Sequence, residues 1–217
     1  LSDLLHVPFA DHMLVPLPGS LGPVTAASIS DNVADGWRGV GPYLKDRPDA
    51  SVLVVGGLAK SIGLYAAGAA VALGAGRVLY LDDDADQRAV AEAFGAAAEP
   101  LALDQGRSPT EQFDIVVEAA GNERALEFCF LSCSVNGVLT SVAIHFRPKT
   151  AIPLTSAYYK GITFHTSRVH SRAVLQDVIS CVCGGFHPEP VTNLIVDFNQ
   201  APDAMTQAGP KVIFQAG

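Results

Sequence analysis

The sequence predicts an α/β fold, a doubly wound parallel sheet of six strands in the order 3-2-1-4-5-6. Three observations lead there. From Ala50 onward, short apolar runs alternate with helical stretches, and buried strands separated by helices pair in parallel through right-handed crossovers. The first run ends in Gly56-Gly57 and passes into a helix rich in Ala and Gly. The second run ends in three carboxylates, Asp82-Asp83-Asp84.

Taken in order, Leu4 to Pro18 (LLHVPFADHMLVPLP) reads as extended edge segments, because Pro8, Pro16 and Pro18 break its apolar runs. Pro23 to Leu44 has helical spacing, with Val24, Ala27, Ile29, Val33, Trp37, Val40 and Leu44 on one broad face. Strands are predicted over Ser51–Val55, Arg77–Leu81, Pro100–Leu103, Phe113–Glu118, Val138–Ile144 and Gly161–Thr166. Helices are predicted over Ser61–Leu73, Gln87–Phe94, Glu123–Cys133 and Val174–Cys183. Val191–Phe198, a helical turn at Ala201–Gln207 and Lys211–Phe214 form a tail predicted to pack back on an edge.

Of the 217 residues, 49% are hydrophobic and 17% charged, which suits a large buried core. The net charge of −8 opposes binding to nucleic acid or an anionic membrane, since both need Lys and Arg against phosphate. The uncharged Ala- and Gly-rich run Ser61–Gly76 is 16 residues with four glycines, too short for a membrane span. Cys129, Cys133, Cys181 and Cys183 lack zinc-ribbon spacing and read as buried free thiols in a reducing, cytoplasmic setting. A start at Leu1 without methionine reads as a partial or trimmed chain.

The chemistry concentrates in SVLVVGGLAKSIGLYAAGAAVALGAGRVLYLDDD. A dinucleotide fold needs a tight turn after its first strand, then a helix whose free N–H groups face a diphosphate. Gly56 and Gly57 supply the turn, Ser61 and Ile62 open the helix, and Gly63 permits close approach. The loop is longer than G-x-G-x-x-G and lacks its middle glycine. Lys60 either contacts a phosphate or points to solvent. Asp82 lies 19 residues after Gly63, where a carboxylate accepts from both adenosine ribose hydroxyls and repels a 2′-phosphate. Asp83 and Asp84 add negative charge, and no arginine follows before Arg88. NAD is therefore favoured over NADP, and Asp84 is a candidate cap for the next helix.

Together these segments resemble the latter part of the zinc-type medium-chain alcohol dehydrogenases, a family with a Rossmann-type cofactor domain. VPFADHMLVPLP resembles the end of that family's GroES-like catalytic domain, and FDIVVEAAG, NGVLTSVAI and GITFHTSRVHSR resemble its later strands. The resemblance implies residues 1–22 as a catalytic-domain remnant, 23–185 as the dinucleotide-binding domain and 186–217 as a segment packing back on the edge or a further catalytic-domain remnant. It implies hydride transfer between a small alcohol or carbonyl compound and a nicotinamide cofactor. It places Gly121, Val142, Ala143 and the segment holding Arg168 near that cofactor. Arg168 or Arg172 suits a phosphate; His145, His165 and His170 are weaker candidates, and His6, His12 and His187 read as surface residues. At the one zinc-ligand position within this chain stands Asp31, which is either a ligand or a helix cap. A complete zinc site would need the family's amino-terminal domain, so no catalytic residue is assigned.

An exposed sixth strand predicts a homo-oligomer through that edge. Two other classes fit less well. A non-catalytic nucleotide-binding module that lost its metal would also carry the irregular loop. A methyltransferase would share the glycine turn and the acidic strand end, but six parallel strands without a closing antiparallel hairpin argue against it.

Overall fold

A computed structural model describes residues 4–206 and 209–215. The sheet forms around central strands that are apolar on both faces. In β1 (Ser51–Val55), Val52 and Val54 enter one core, and Leu53 and Val55 enter the other. The same alternation runs through β2 (Arg77–Leu81) and β4 (Phe113–Glu118), as strand geometry requires. Each fully buried Val or Leu contributes about 1.5–3 kcal/mol. With β3 (Ala97–Glu99), β5 (Cys133–Ser141) and β6 (Thr163–Thr166), the order is 3-2-1-4-5-6, every pair parallel.

Among the described residues there are ten α-helical segments: α1 (Ala10–Met13), α2 (Pro23–Ala26), α3 (Ala34–Arg38), α4 (Gly41–Asp46), α5 (Lys60–Ala72), α6 (Ala85–Ala93), α7 (Glu123–Ser132), α8 (Leu154–Lys160), α9 (Ser171–Cys183) and α10 (Ala201–Ala204). Residues of α3, α5 and α9 line one core, while those of α7 line the other. In α5 the run from Gly63 to Ala70 is wholly buried, because its small side chains let the helix sink against the sheet.

Several expectations are corrected. The third strand is Ala97–Glu99, not Pro100–Leu103: Pro100 has no N–H to extend the ladder, and Leu103–Gln105 forms a 3₁₀ turn. The fifth strand starts earlier, at Cys133, and stops at Ser141, leaving Ile144 exposed. Leu4–Pro18 holds the helical turn α1 and no strand. Pro23–Leu44 is broken into α2, a π-helical turn at Ile29–Val33, α3 and α4, with Pro42 entering only at the start of α4. Helix α8 was not foreseen; it buries no residue and so carries no apolar stripe.

The tail does not join a sheet edge. Strands β7 (Leu194–Asp197) and β8 (Val212–Gln215) pair with each other in parallel. The turn before β7 buries Val191 in the core beneath α5. The last residue of the expected helical turn, Gln207, lies outside the described residues.

Candidate functional site

The carboxyl ends of β1, β2, β4 and β5 meet at one crevice, built first by the turn after β1. Gly56 donates its amide to the Leu81 carbonyl (2.8 Å), and Ala59 donates to the Ala119 carbonyl (2.9 Å). Gly57 has φ +146°, and a side chain there would place its Cβ 2.9 Å from the Ala120 backbone. The turn thus lies flat against the exit of β4, which only glycine allows. Helix α5 then starts without a side-chain cap. The amides of Lys60, Ser61 and Ile62 have no acceptor among the described residues, while Gly63 already donates to Ala59 (3.0 Å). Three open N–H groups on a 13-residue helix form an anion-binding end.

Beside the turn stands Asp82, only 5% exposed. Its Oδ2 accepts from the Tyr80 hydroxyl (2.9 Å) and its Oδ1 from the Asp84 amide (2.9 Å). A Cβ on Gly56 would fall 2.3 Å from both Asp82 Oδ2 and Tyr80 Oη. The missing side chain is what makes room for the carboxylate and the phenol against the turn. Burial, the largest influence, pushes the Asp82 carboxyl above its ordinary range, and hydrogen bonds from Asp84 and Tyr80 pull against it.

The neighbouring acids have other partners. Asp83 accepts from the Ala102 amide (2.7 Å), tying β2 to the loop after β3. Asp84 caps α6 by accepting from the Asp86 amide (3.0 Å). Lys60 pairs with Asp84 at 3.0 Å. Both side chains are more than a third exposed, and such a pair costs little to open.

A second carboxylate at these strand ends escaped the sequence reading. Glu118, fully buried at the end of β4, accepts from the Gly121 amide and the Ser141 hydroxyl (2.6 Å each) and contacts His145 Nε2 (3.1 Å). Its signal was present: it is a charge closing an otherwise apolar run, FDIVVE. Gly121, at φ +69°, faces Leu58 of the turn and Ala143 after β5. Val142 donates its amide to the Glu118 carbonyl (2.9 Å) and is itself buried. Gly121, Asn122, His145, Arg147 and Thr150 line a cavity of about 430 Å³ next to these ends.

Among the described residues, three other candidates make no hydrogen bond or ion pair to Asp82 or Glu118. Arg168 is exposed in the segment after β6 and makes no ion pair among the described residues. Arg172 instead donates to the His12 carbonyl (2.7 Å). Asp31 is exposed within the π-helical turn and caps nothing. Among the described residues no three His, Cys, Asp or Glu side chains gather as metal ligands. The residues present therefore do not fit a zinc ion, whereas the glycine turn, open amides and Asp82 fit a dinucleotide. No helix among them is long and apolar enough to cross a membrane.

Comparison with known proteins agrees with this geometry. A protein described as a probable zinc-binding alcohol dehydrogenase of Mycobacterium tuberculosis (strain ATCC 25618 / H37Rv) is 25% identical over 191 residues, covering 85% of this chain. The chain spans about half the length of that curated relative, 48%. Among solved structures, the alcohol dehydrogenase TADH from Thermus sp. ATN1 superposes with a TM-score of 0.83 at 26% identity, over 97% of this chain and 65% of its own. An alcohol dehydrogenase from Escherichia coli CFT073 complexed with NADH matches at TM-score 0.70 and 20% identity, over 88% of this chain and 57% of its own. A zinc-binding dehydrogenase from Sinorhizobium meliloti 1021 bound to NADP matches at 0.72 and 18%, over 91% and 61%. The last two share the fold. The family model for zinc-binding dehydrogenases matches residues 61–183, more than half of the chain. That span starts at the open end of α5 and runs through the crevice to the last residue of α9, and the chain belongs to the zinc-binding dehydrogenase family.

Proposed function

We propose that this chain is the NAD(H)-holding portion of a medium-chain alcohol or polyol dehydrogenase-like oxidoreductase. One observation carries the reading: a buried carboxylate, Asp82, beside a glycine turn whose following helix offers three open amides. The Lys60, Ser61 and Ile62 amides would hold the diphosphate, with Gly57 allowing its close approach. Asp82 would accept from the adenosine ribose hydroxyls. Gly121 and Ala143, at the ends of β4 and β5, would border the nicotinamide half. When bound, the nicotinamide supplies hydride transfer at C4 to or from a small alcohol or carbonyl compound. The chain's contribution is to fix that ring's position and shield one side of it.

NAD is the cofactor proposed, because a 2′-phosphate would meet the buried negative charge of Asp82 with Asp84 nearby. Neighbours of the same fold carry NADH or NADP, so the choice rests on Asp82. Calorimetric titration of the chain is expected to give NADH at least tenfold tighter than NADPH, about 1.4 kcal/mol. Asp82→Gly is expected to narrow that gap. Equal affinities in the unmodified chain would overturn the assignment.

Self-association through the outer edge of β6 belongs to the same proposal. β6 pairs on one side only, and the preceding helix α8 exposes Leu154, Tyr158 and Tyr159 at 68–82%. Four free cysteines suit a reducing compartment such as the cytoplasm, although only Cys129 and Cys133 are buried as expected; Cys181 is half-buried and Cys183 exposed. The N-terminal segment exposes Leu4, Leu5, Phe9, Met13, Leu14 and Leu17, which supports reading residues 1–22 as part of a second domain's surface. The rival reading, a nucleotide-binding module without turnover, draws on the isolation of Asp31. It predicts NADH binding without any oxidation of alcohols by the complete protein.

A further inference from the structure

We propose that Tyr80 is a positioning residue for Asp82, setting the carboxylate's orientation and through it the cofactor preference; this rests on the NAD reading above. Tyr80 is fully buried in β2, two residues before Asp82, so both side chains leave the strand on the same face. Its ring packs below the start of α5, where a Cβ on Gly63 would lie 3.8 Å away. The phenol reaches up to the turn and donates to Asp82 Oδ2 at 2.9 Å. Burial and the adjacent carboxylate drive the Tyr80 hydroxyl far above its ordinary pKa. It therefore stays a donor throughout the working pH range.

The consequence follows from counting lone pairs. An ionised carboxylate accepts at about four sites, two on each oxygen. Tyr80 takes one on Oδ2 and the Asp84 amide takes one on Oδ1. One site remains on each oxygen, matching a vicinal diol that presents two O–H donors side by side. Without the phenol, one oxygen of a 5% exposed carboxylate loses its buried donor. The group would then be free to rotate or to take up a proton, and the paired acceptors would no longer be held apart. A 2′-phosphate makes no use of that pair, so losing the phenol weakens NADH and leaves NADPH little changed.

The test is a double-mutant cycle on the 217-residue chain, with NADH and NADPH affinities measured by calorimetry and folding checked by thermal melting. Tyr80→Phe is expected to weaken NADH three- to tenfold and to shrink the NADH/NADPH ratio by at least threefold. In an Asp82→Asn background the same change is expected to leave the ratio unaltered, because a residue acting through Asp82 has nothing left to position. Tyr80→Phe with an undiminished ratio would overturn the proposal while the NAD reading stands. An equal loss in both backgrounds would show Tyr80 acting by itself and would also overturn it. An unmodified chain that binds both cofactors equally would remove the NAD reading, and the role of Tyr80 with it.

Discussion

At the scale of single residues, the two buried carboxylates pull in different directions. Glu118 satisfies three donors, from the loop after β4, from β5 and from the loop beyond β5. Glu118→Leu leaves those donors without an acceptor in a dry site and is expected to cost about 2–4 kcal/mol in urea unfolding. Glu118→Gln keeps an acceptor oxygen and should cost clearly less; equal losses would mean that the charge itself, not the acceptor, matters. Asp82 has the opposite sign. Its carboxyl is raised above the unfolded value chiefly by burial, so the folded state binds the proton more readily than the unfolded chain. Between the unfolded and folded pKa values, the contribution of this group to stability falls as pH rises. At neutral pH the charge therefore opposes folding, although the cofactor reading needs it. Asp82→Asn is expected to hold or raise the melting midpoint at pH 7 while weakening NADH, a trade often seen at functional sites. A clear fall in that midpoint would contradict this account of Asp82.

At the scale of elements, what the sequence revealed and what it concealed have physical reasons. β1, β2 and β4 were legible because each is a short apolar run buried on both faces and closed by Gly or an acid. Asp84 was legible as a cap because an Asp before a helix has few other uses there. Asp84→Ala is expected to cost about 1 kcal/mol by freeing the first turn of α6, measured as a shift in the urea midpoint at constant slope. An unchanged midpoint would mean that the Lys60 pair and the cap contribute nothing. Helix α8 was illegible because no residue in it is buried, so LTSAYYK has no stripe to betray it. The third strand slipped by three residues because the sequence supplied an apolar run after Pro100, while the register was fixed by Leu79, Tyr80 and Leu81 pairing with Ala97, Ala98 and Glu99. Tyr80 was read only as an apolar strand residue. Its hydroxyl acquired a partner through the two-residue period that put Asp82 on the same face, which no motif spells out.

For the whole molecule, the sheet brings residues from Gly56 to Ala143 to one end, and its order made that end foreseeable. What no pattern in the chain could give was the state of the surfaces around it. The outer edge of β6 and the exposed rings of Tyr158 and Tyr159 predict association in solution. Sedimentation is expected to show a dimer or larger species that Tyr158→Lys and Tyr159→Lys together dissociate. A monomer at all concentrations would remove the claim.

The most direct test of the account is to follow backbone amide NMR signals during titration with NADH. The largest shifts are expected at Gly57, Ser61, Ile62 and Asp82, with Gly121 and Ala143 next. Shifts concentrated instead around Trp37, Lys45 and Asp177, in the apolar cleft between α4 and α9, with the α5 amides unmoved, would contradict it.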